Sequence, residues 1–129
     1  MVIADYLYQE QVDLARNGRT VLVVDDERYI VDLLTDLLDD EGYRVITAFD
    51  GLAALQKMRE ESPDLVLADI MMPRLDGLTL LTRIREEHSE VPVVLMSAAV
   101  TPIMHEVPYI AKPFDLEDLL DIVDAQFSD

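Results

Sequence analysis

Asp64-Leu65-Val66-Leu67-Ala68-Asp69-Ile70-Met71-Met72-Pro73-Arg74-Leu75-Asp76-Gly77 is the stretch that decides the fold. Its apolar run, Leu65 to Ala68, is short, continuous and halted by an acid. A run of this kind between turn signals reads as a strand buried on both faces. Pro73 and the Asp76-Gly77 pair mark the following residues as a loop. Asp69 is thereby placed at the carboxyl end of a central strand, where open α/β sheets carry their ligand sites. A single acid there is ordinarily a loop cap. Further acids at the same edge change its meaning.

Upstream, Thr20 to Val24 is a largely β-branched run that ends in Asp25-Asp26-Glu27. Ile30, Leu33, Leu34, Leu37 and Leu38 then keep helical spacing as far as Gly42. Tyr43 to Ala48 forms a second strand. Asp50-Gly51 opens a helix with Leu52, Leu55 and Met58 inward, stopped before Pro63. Beyond the central strand, a helix over about Leu78 to Glu87 turns Leu78, Leu81 and Ile84 to one side. Pro92 to Met96 is a fourth strand ending at Ser97, and Val107 to Ala111 a short fifth ending at Lys112-Pro113. Asp115 caps a last helix whose buried face is Leu116, Leu119, Leu120 and Val123, with Asp118 where a capping box carries Glu or Gln. Five strands alternating with helices predict one doubly wound, parallel α/β sheet.

Met1 to Arg19 stands apart from this pattern. Ala4, Leu7, Tyr8, Val12 and Ala15 fall near helical spacing and Asn17-Gly18 makes a stop, so residues 1–19 read as a helical extension before one domain over 20–129. It could cover a sheet edge or pair two chains.

Composition narrows the function. Half of the 129 residues are hydrophobic, as a packed core requires, and 10 basic against 27 acidic residues leave a net charge of −17. That field repels nucleic acid and anionic membranes and favours cations and basic partners. With no cysteine, disulfides, thiolate metal sites and cysteine catalysis are excluded. No basic segment leads into an apolar core at the amino terminus, and the apolar stretch from Val91 to Met104 is short and carries Pro92 and Pro102. Neither a secretory signal nor a membrane span is expected, and the expected location is the cytoplasm.

Parallel strands joined by crossover helices bring their carboxyl ends to one edge, so Asp25, Asp26, Asp69, Ser97 and Lys112 are predicted to converge. Three carboxylates without compensation repel one another, and a hard divalent cation such as Mg²⁺ relieves that conflict with oxygen ligands and retained water. Lys112 can pair with a carboxylate or a phosphoryl oxygen, and the Ser97 hydroxyl can donate to the same oxygen. A carboxylate is a competent nucleophile toward phosphorus, so the set suits formation of an aspartyl phosphate. His88 and His105 are not placed to act as bases.

Asp25-Asp26, Asp69 within Asp-Ile-Met-Met-Pro-Arg-Leu-Asp-Gly, Ser97-Ala98 and Lys112-Pro113-Phe114, in this order from Thr20 onward, resemble the receiver domain of bacterial two-component response regulators. The resemblance implies a flavodoxin-like five-stranded sheet of order 2-1-3-4-5. It implies that Asp69 takes a phosphoryl group from a sensor histidine kinase or phosphotransfer protein, and that Asp25, Asp26, Asp69 and the carbonyl of Met71 hold Mg²⁺. Ser97 and Tyr109 correspond to a hydroxyl–aromatic switch pair, and the bond before Pro113 to a cis peptide. Such a domain catalyses only its own phosphorylation and dephosphorylation. The kinase is expected on the first helix of the domain, along its wide apolar stripe of Ile30, Leu33, Leu34, Leu37 and Leu38 with Tyr29 alongside, and on the Pro113-Phe114 loop. A second copy of the chain is a further candidate partner.

The chain departs from the family between Ser97 and Lys112, which are about two helical turns closer than usual, and it lacks the Gly-Ala pair common before the last strand. Only nine residues, Ala98 to Glu106, precede Val107, so the fourth crossover helix is expected to be short or absent. Two rival functions remain. A receiver-like scaffold that takes no phosphate would share the fold. A phosphatase of the haloacid dehalogenase type would also use an aspartyl phosphate, but on the first strand and in an Asp-x-Asp pattern.

Overall fold

The computed structural model of the chain describes residues 3–88, 90–98 and 107–127. Helix α1 (Ile3–Arg16) comes first, followed by β1 (Thr20–Val24), α2 (Arg28–Asp40), β2 (Arg44–Ala48), α3 (Gly51–Glu61) and β3 (Leu65–Asp69). Helix α4 (Gly77–Glu87), β4 (Val93–Ser97), β5 (Tyr109–Ala111) and α5 (Leu116–Ala125) complete the order. The five strands form one parallel sheet in the order β2-β1-β3-β4-β5, the flavodoxin-like arrangement. The expected shortening of the fourth crossover helix falls on residues 99–106, outside the described residues.

Alternation along the strands divides the core in two. Val21, Val23, Leu65, Leu67, Val94 and Met96 face α2 and α5, meeting Ile30, Leu34, Leu38, Leu119 and Val123. Leu22, Val24, Val66, Ala68, Val93 and Leu95 face α3 and α4, meeting Leu55, Met58, Leu80 and Ile84. β1, β3 and β4 are buried along their whole length. That explains why they read as unbroken apolar runs.

Several local expectations are corrected. Leu52 does not turn inward: it is 53 % exposed, and Ala54 takes the core position beside Leu55 and Met58. On α4 the buried set is Leu80, Leu81 and Ile84, with Leu78 only half-buried. Leu116 lies at the surface end of α5, whose buried residues are Leu119 and Val123. The Asp115 carboxylate accepts from the Glu117 N–H, one residue short of the capping-box partner. β5 starts at Tyr109 because Pro108 has no N–H; its carbonyl accepts from the Leu95 N–H, and Val107 is buried but outside the ladder.

The amino-terminal segment is helical, and its end is fixed. Gly18, at φ +77°, turns the chain from α1 into β1. Arg16 reaches back as a bidentate donor to Asp124 on α5, Nη2 to Oδ2 at 2.7 Å and Nε to Oδ1 at 3.1 Å, and its Nη1 meets Glu41 at 2.7 Å. The Tyr43 hydroxyl donates to the same Asp124 carboxylate at 2.5 Å. Asp124 holds the Arg16 guanidinium above even its usual range. Burial, and then the bond to Asp124, push the Tyr43 phenol up.

Candidate functional site

The carboxyl edge of the sheet gathers the predicted acids. Asp25 follows β1, Asp69 is the last residue of β3, and a ligand oxygen from each of Asp25, Asp26 and Asp69 lies within 4.8 Å of the others. Asp25 and Asp69 are buried while Asp26 is exposed. Lys112, just past β5, reaches Asp25 Oδ2 at 2.8 Å, Asp69 Oδ1 at 3.5 Å and Glu27 Oε1 at 4.0 Å. The other oxygen of Asp25 accepts the Glu27 N–H at 2.9 Å. Asp25 is therefore held at both oxygens.

Ser97 is the buried last residue of β4, and its carbonyl accepts the Lys112 N–H at 2.7 Å. Tyr109 is half-buried against the α3/α4 side of the core. Met71 points its side chain to solvent, 74 % exposed, so any part it takes in the cluster falls to its carbonyl. The Lys112–Pro113 peptide is cis. His88 caps the end of α4, and His105 lies outside the described residues.

The electrostatics follow from this crowding. Burial raises the Asp69 carboxyl above the usual carboxylate range, and the Asp25 charge raises it further; Lys112 offsets part of this. Burial pulls Lys112 down, but its bond to Asp25 and the neighbouring charges more than reverse that, leaving it raised. One lysine thus faces three acids. The donors are all carboxylate oxygens, two held by buried strand ends, which suits a hard divalent cation.

In the sequence the Asp76-Gly77 pair marks Gly77 only as a turn-former, and its placement gives it more. A β-carbon there would overlap the Asp69 carbonyl oxygen and come within 2.7 Å of the Ile70 Cα. The bare Cα lets the Gly77 N–H bond to the Ile70 carbonyl at 2.8 Å, which brings the start of α4 against the end of β3. Asp76 caps that helix by accepting the Thr79 N–H at 2.8 Å. The sequence signal was the Asp-Gly pair itself, but the close approach is a tertiary fact.

Comparison with known proteins decides the family. The sequence profile of the response regulator receiver domain matches residues 21–124. This chain belongs to that family. The receiver domain is 40 % identical to that of NtrX from Brucella abortus, with a TM-score of 0.76, covering 83 % of this chain and 97 % of that one. It is 30 % identical to a chain in the CheX–CheY–BeF3–Mg²⁺ complex from Borrelia burgdorferi, with a TM-score of 0.84, covering 92 % and 99 %. It is also 44 % identical over 81 residues to the alkaline phosphatase synthesis transcriptional regulatory protein PhoP of Bacillus subtilis, covering 63 % of this chain and 34 % of the relative. The chain thus spans about a third of that relative's length. Among the described residues, no helix of the receiver is long and apolar enough to cross a membrane.

Proposed function

We propose that this receiver accepts a phosphoryl group on Asp69 from a sensor histidine kinase or phosphotransfer protein in the cytoplasm. The observation that carries the reading is Asp69 itself, buried at the end of the central strand with Lys112 3.5 Å away and Asp25 and Asp26 beside it. An Asp69 oxygen attacks phosphorus, the bond from phosphorus to the donor nitrogen breaks, and the departing imidazole keeps the electron pair and takes a proton. The product is an acyl phosphate. Lys112 is the cation within reach of both carboxylates and can follow the charge onto the phosphoryl oxygens.

Asp25, Asp26, Asp69 and the Met71 carbonyl would hold Mg²⁺. The chemistry a bound Mg²⁺ supplies is neutralisation of charge on the transferring oxygens. Ser97, buried on the neighbouring strand end, would donate to a phosphoryl oxygen, and Tyr109 would follow its movement as the second half of the switch. Residues 20–129 form the receiver in this reading, and residues 1–19 an extension to it. Turnover of small phosphate esters is not part of the function. The donor docks at Tyr29, 67 % exposed, and Leu33, 42 % exposed, next to Pro113-Phe114. Large apolar side chains left in water beside a reactive site favour a partner there.

Intact-mass measurement with acetyl phosphate tests the assignment. One phosphate should add to the protein with Mg²⁺, and none to Asp69→Asn. Stoichiometric labelling of that variant would overturn it.

A further inference from the structure

Helix α1 stands almost clear of the receiver. Of its described side chains only Val12, half-buried, and Arg16, buried, are withdrawn from solvent. Arg16 is fixed to Asp124 and Glu41, and beyond the Gly18 turn the Arg19 guanidinium lies 4.6 Å from the centre of the Phe127 ring. The helix is therefore held through its last turn, while the turns before it lie in water. A free helix of 14 residues is marginal by itself. All of α1 precedes residue 21, where the match to the receiver family begins, so it is an addition to that scaffold.

Its apolar residues are not scattered. At about 100° per residue, Ile3, Leu7, Glu10 and Leu14 fall within an arc of about 60°, on the side of the helix opposite Val12 and Arg16. Ile3 is 75 % exposed and Leu14 70 %, with Leu7 also exposed between them. The spacing i, i+4, i+7, i+11 is that of a coiled-coil seam, with Glu10 its one polar member.

The pattern of the seam selects what covers it. Two copies laid parallel would set Glu10 against Glu10, like charges in one layer. Laid antiparallel about the midpoint between Tyr8 and Gln9, they set Ile3 opposite Leu14 of the other copy and Leu7 opposite its Glu10. The glutamate methylenes then cover the leucine while the carboxylate reaches water. The flanking positions are Ala4, Tyr6, Gln11 and Asp13, a single acid, so no acidic ladder is present to recruit a basic helix. The two receivers, each of net charge −17, end on the outer sides of the pair. Two helix diameters, about 20 Å, separate them, more than the screening length of about 8 Å at physiological salt.

We infer that α1 pairs with α1 of a second copy as a short antiparallel coiled coil, making the chain a weak two-fold dimer. The inference stands apart from the phosphoacceptor reading. A helix about 21 Å long buries less than the roughly 1,200 Å² at which stable interfaces begin, so the dissociation constant is expected on the order of 100 µM.

Sedimentation equilibrium of the full chain, from about 5 µM to about 1 mM, tests this. Wild type should pass from monomer to dimer across that range. Leu14→Asp should stay monomeric, and Glu10→Leu should tighten the dimer about tenfold or more. Gln9→Ala, on the side turned to the receiver, should change it by less than about twofold. Added salt should strengthen association, because it screens the two acidic bodies and leaves the apolar seam intact. The chain has no cysteine, so orientation is read by mixing Ile3→Cys with Leu14→Cys under air oxidation. The mixed disulfide should dominate over both self-linked products.

Glu10→Leu retains a good helix former, so it reads the seam even where Leu14→Asp melts α1. Wild type and Glu10→Leu that both stay monomeric would overturn the proposal. So would a dimer that survives Leu14→Asp, one that salt weakens, or self-linked disulfides in excess of the mixed one. A monomer that binds phosphatidylcholine vesicles through α1, with binding lost in Leu14→Asp, would give the seam to a lipid surface instead.

Discussion

Gly77 and Asp69 touch through their backbones: the start of α4 leans on the end of β3 where a β-carbon would collide with the Asp69 carbonyl. Neither neighbour can yield easily, because β3 is hydrogen-bonded on both sides to β1 and β4. Gly77→Ala is therefore expected to lower stability by about 1–3 kcal/mol, the usual cost of overpacking. Phosphorylation by acetyl phosphate should slow in the same variant, since Asp69 must shift to relieve the overlap. Denaturant titration reads the first effect and intact mass the second. Unchanged values for both would show that α4 is free to move away.

Asp69→Asn is expected to stabilise the protein in the absence of Mg²⁺. The folded-state pKa of Asp69 is raised by burial and by Asp25. An acid with a raised folded-state pKa makes the charged form a burden on folding, complete above that raised value and gone below the unfolded value. The amide keeps the shape and removes the charge. Its advantage in thermal midpoint should thus be largest at neutral and alkaline pH and shrink as the pH falls toward the ordinary carboxylate range. A variant less stable than wild type at neutral pH would mean that Lys112 outweighs the two acids.

Mg²⁺ should reverse that order. A ligand that binds only the folded state adds about 1.4 kcal/mol at ten times its dissociation constant. Wild type should gain this, and Asp26→Asn, whose exposed side chain carries little packing, should gain clearly less. Thermal midpoints across a Mg²⁺ series measure it. Equal gains in both proteins would remove Asp26 from the ligand set.

The sheet was legible because its strands are simple. β1 and β3 are buried from end to end, so their apolar runs stand out, and the acids that stop them mark the edge at which Asp25, Asp26 and Asp69 meet. Lys112 was legible for the same reason, as the cation closing the fifth run. Helix faces were read less well. Leu52 and Leu116 fit an apolar stripe by spacing yet lie at the surface, because spacing gives a direction around the helix but not where the sheet ends beneath it. Gly77 looked like any turn glycine. Arg16 and Asp124 gave no signal at all, being 108 residues apart and joined only once α1 lies against α5.

That last pair gives the final prediction. Arg16 is buried and bridges two carboxylates, Glu41 just past the end of α2 and Asp124 on α5, while Tyr43 satisfies Asp124 from a third direction. Removing one partner of a buried pair costs about 3–5 kcal/mol, but Glu41 and Asp124 are partly solvated and Asp124 keeps the Tyr43 hydroxyl. Arg16→Ala should therefore cost less, about 1–3 kcal/mol. Tyr43→Phe leaves Asp124 its arginine and should cost about 1 kcal/mol. Arg16→Lys should recover little, because one ammonium cannot reproduce the two-pronged contact with Asp124 while also reaching Glu41. Hydrogen exchange distinguishes loss of the anchor from general unfolding. In Arg16→Ala, amides of α1 should exchange faster while those of β1 and β3 stay protected. Full rescue by lysine, or faster exchange spread evenly over the sheet, would show that Arg16 does not serve as the anchor of α1.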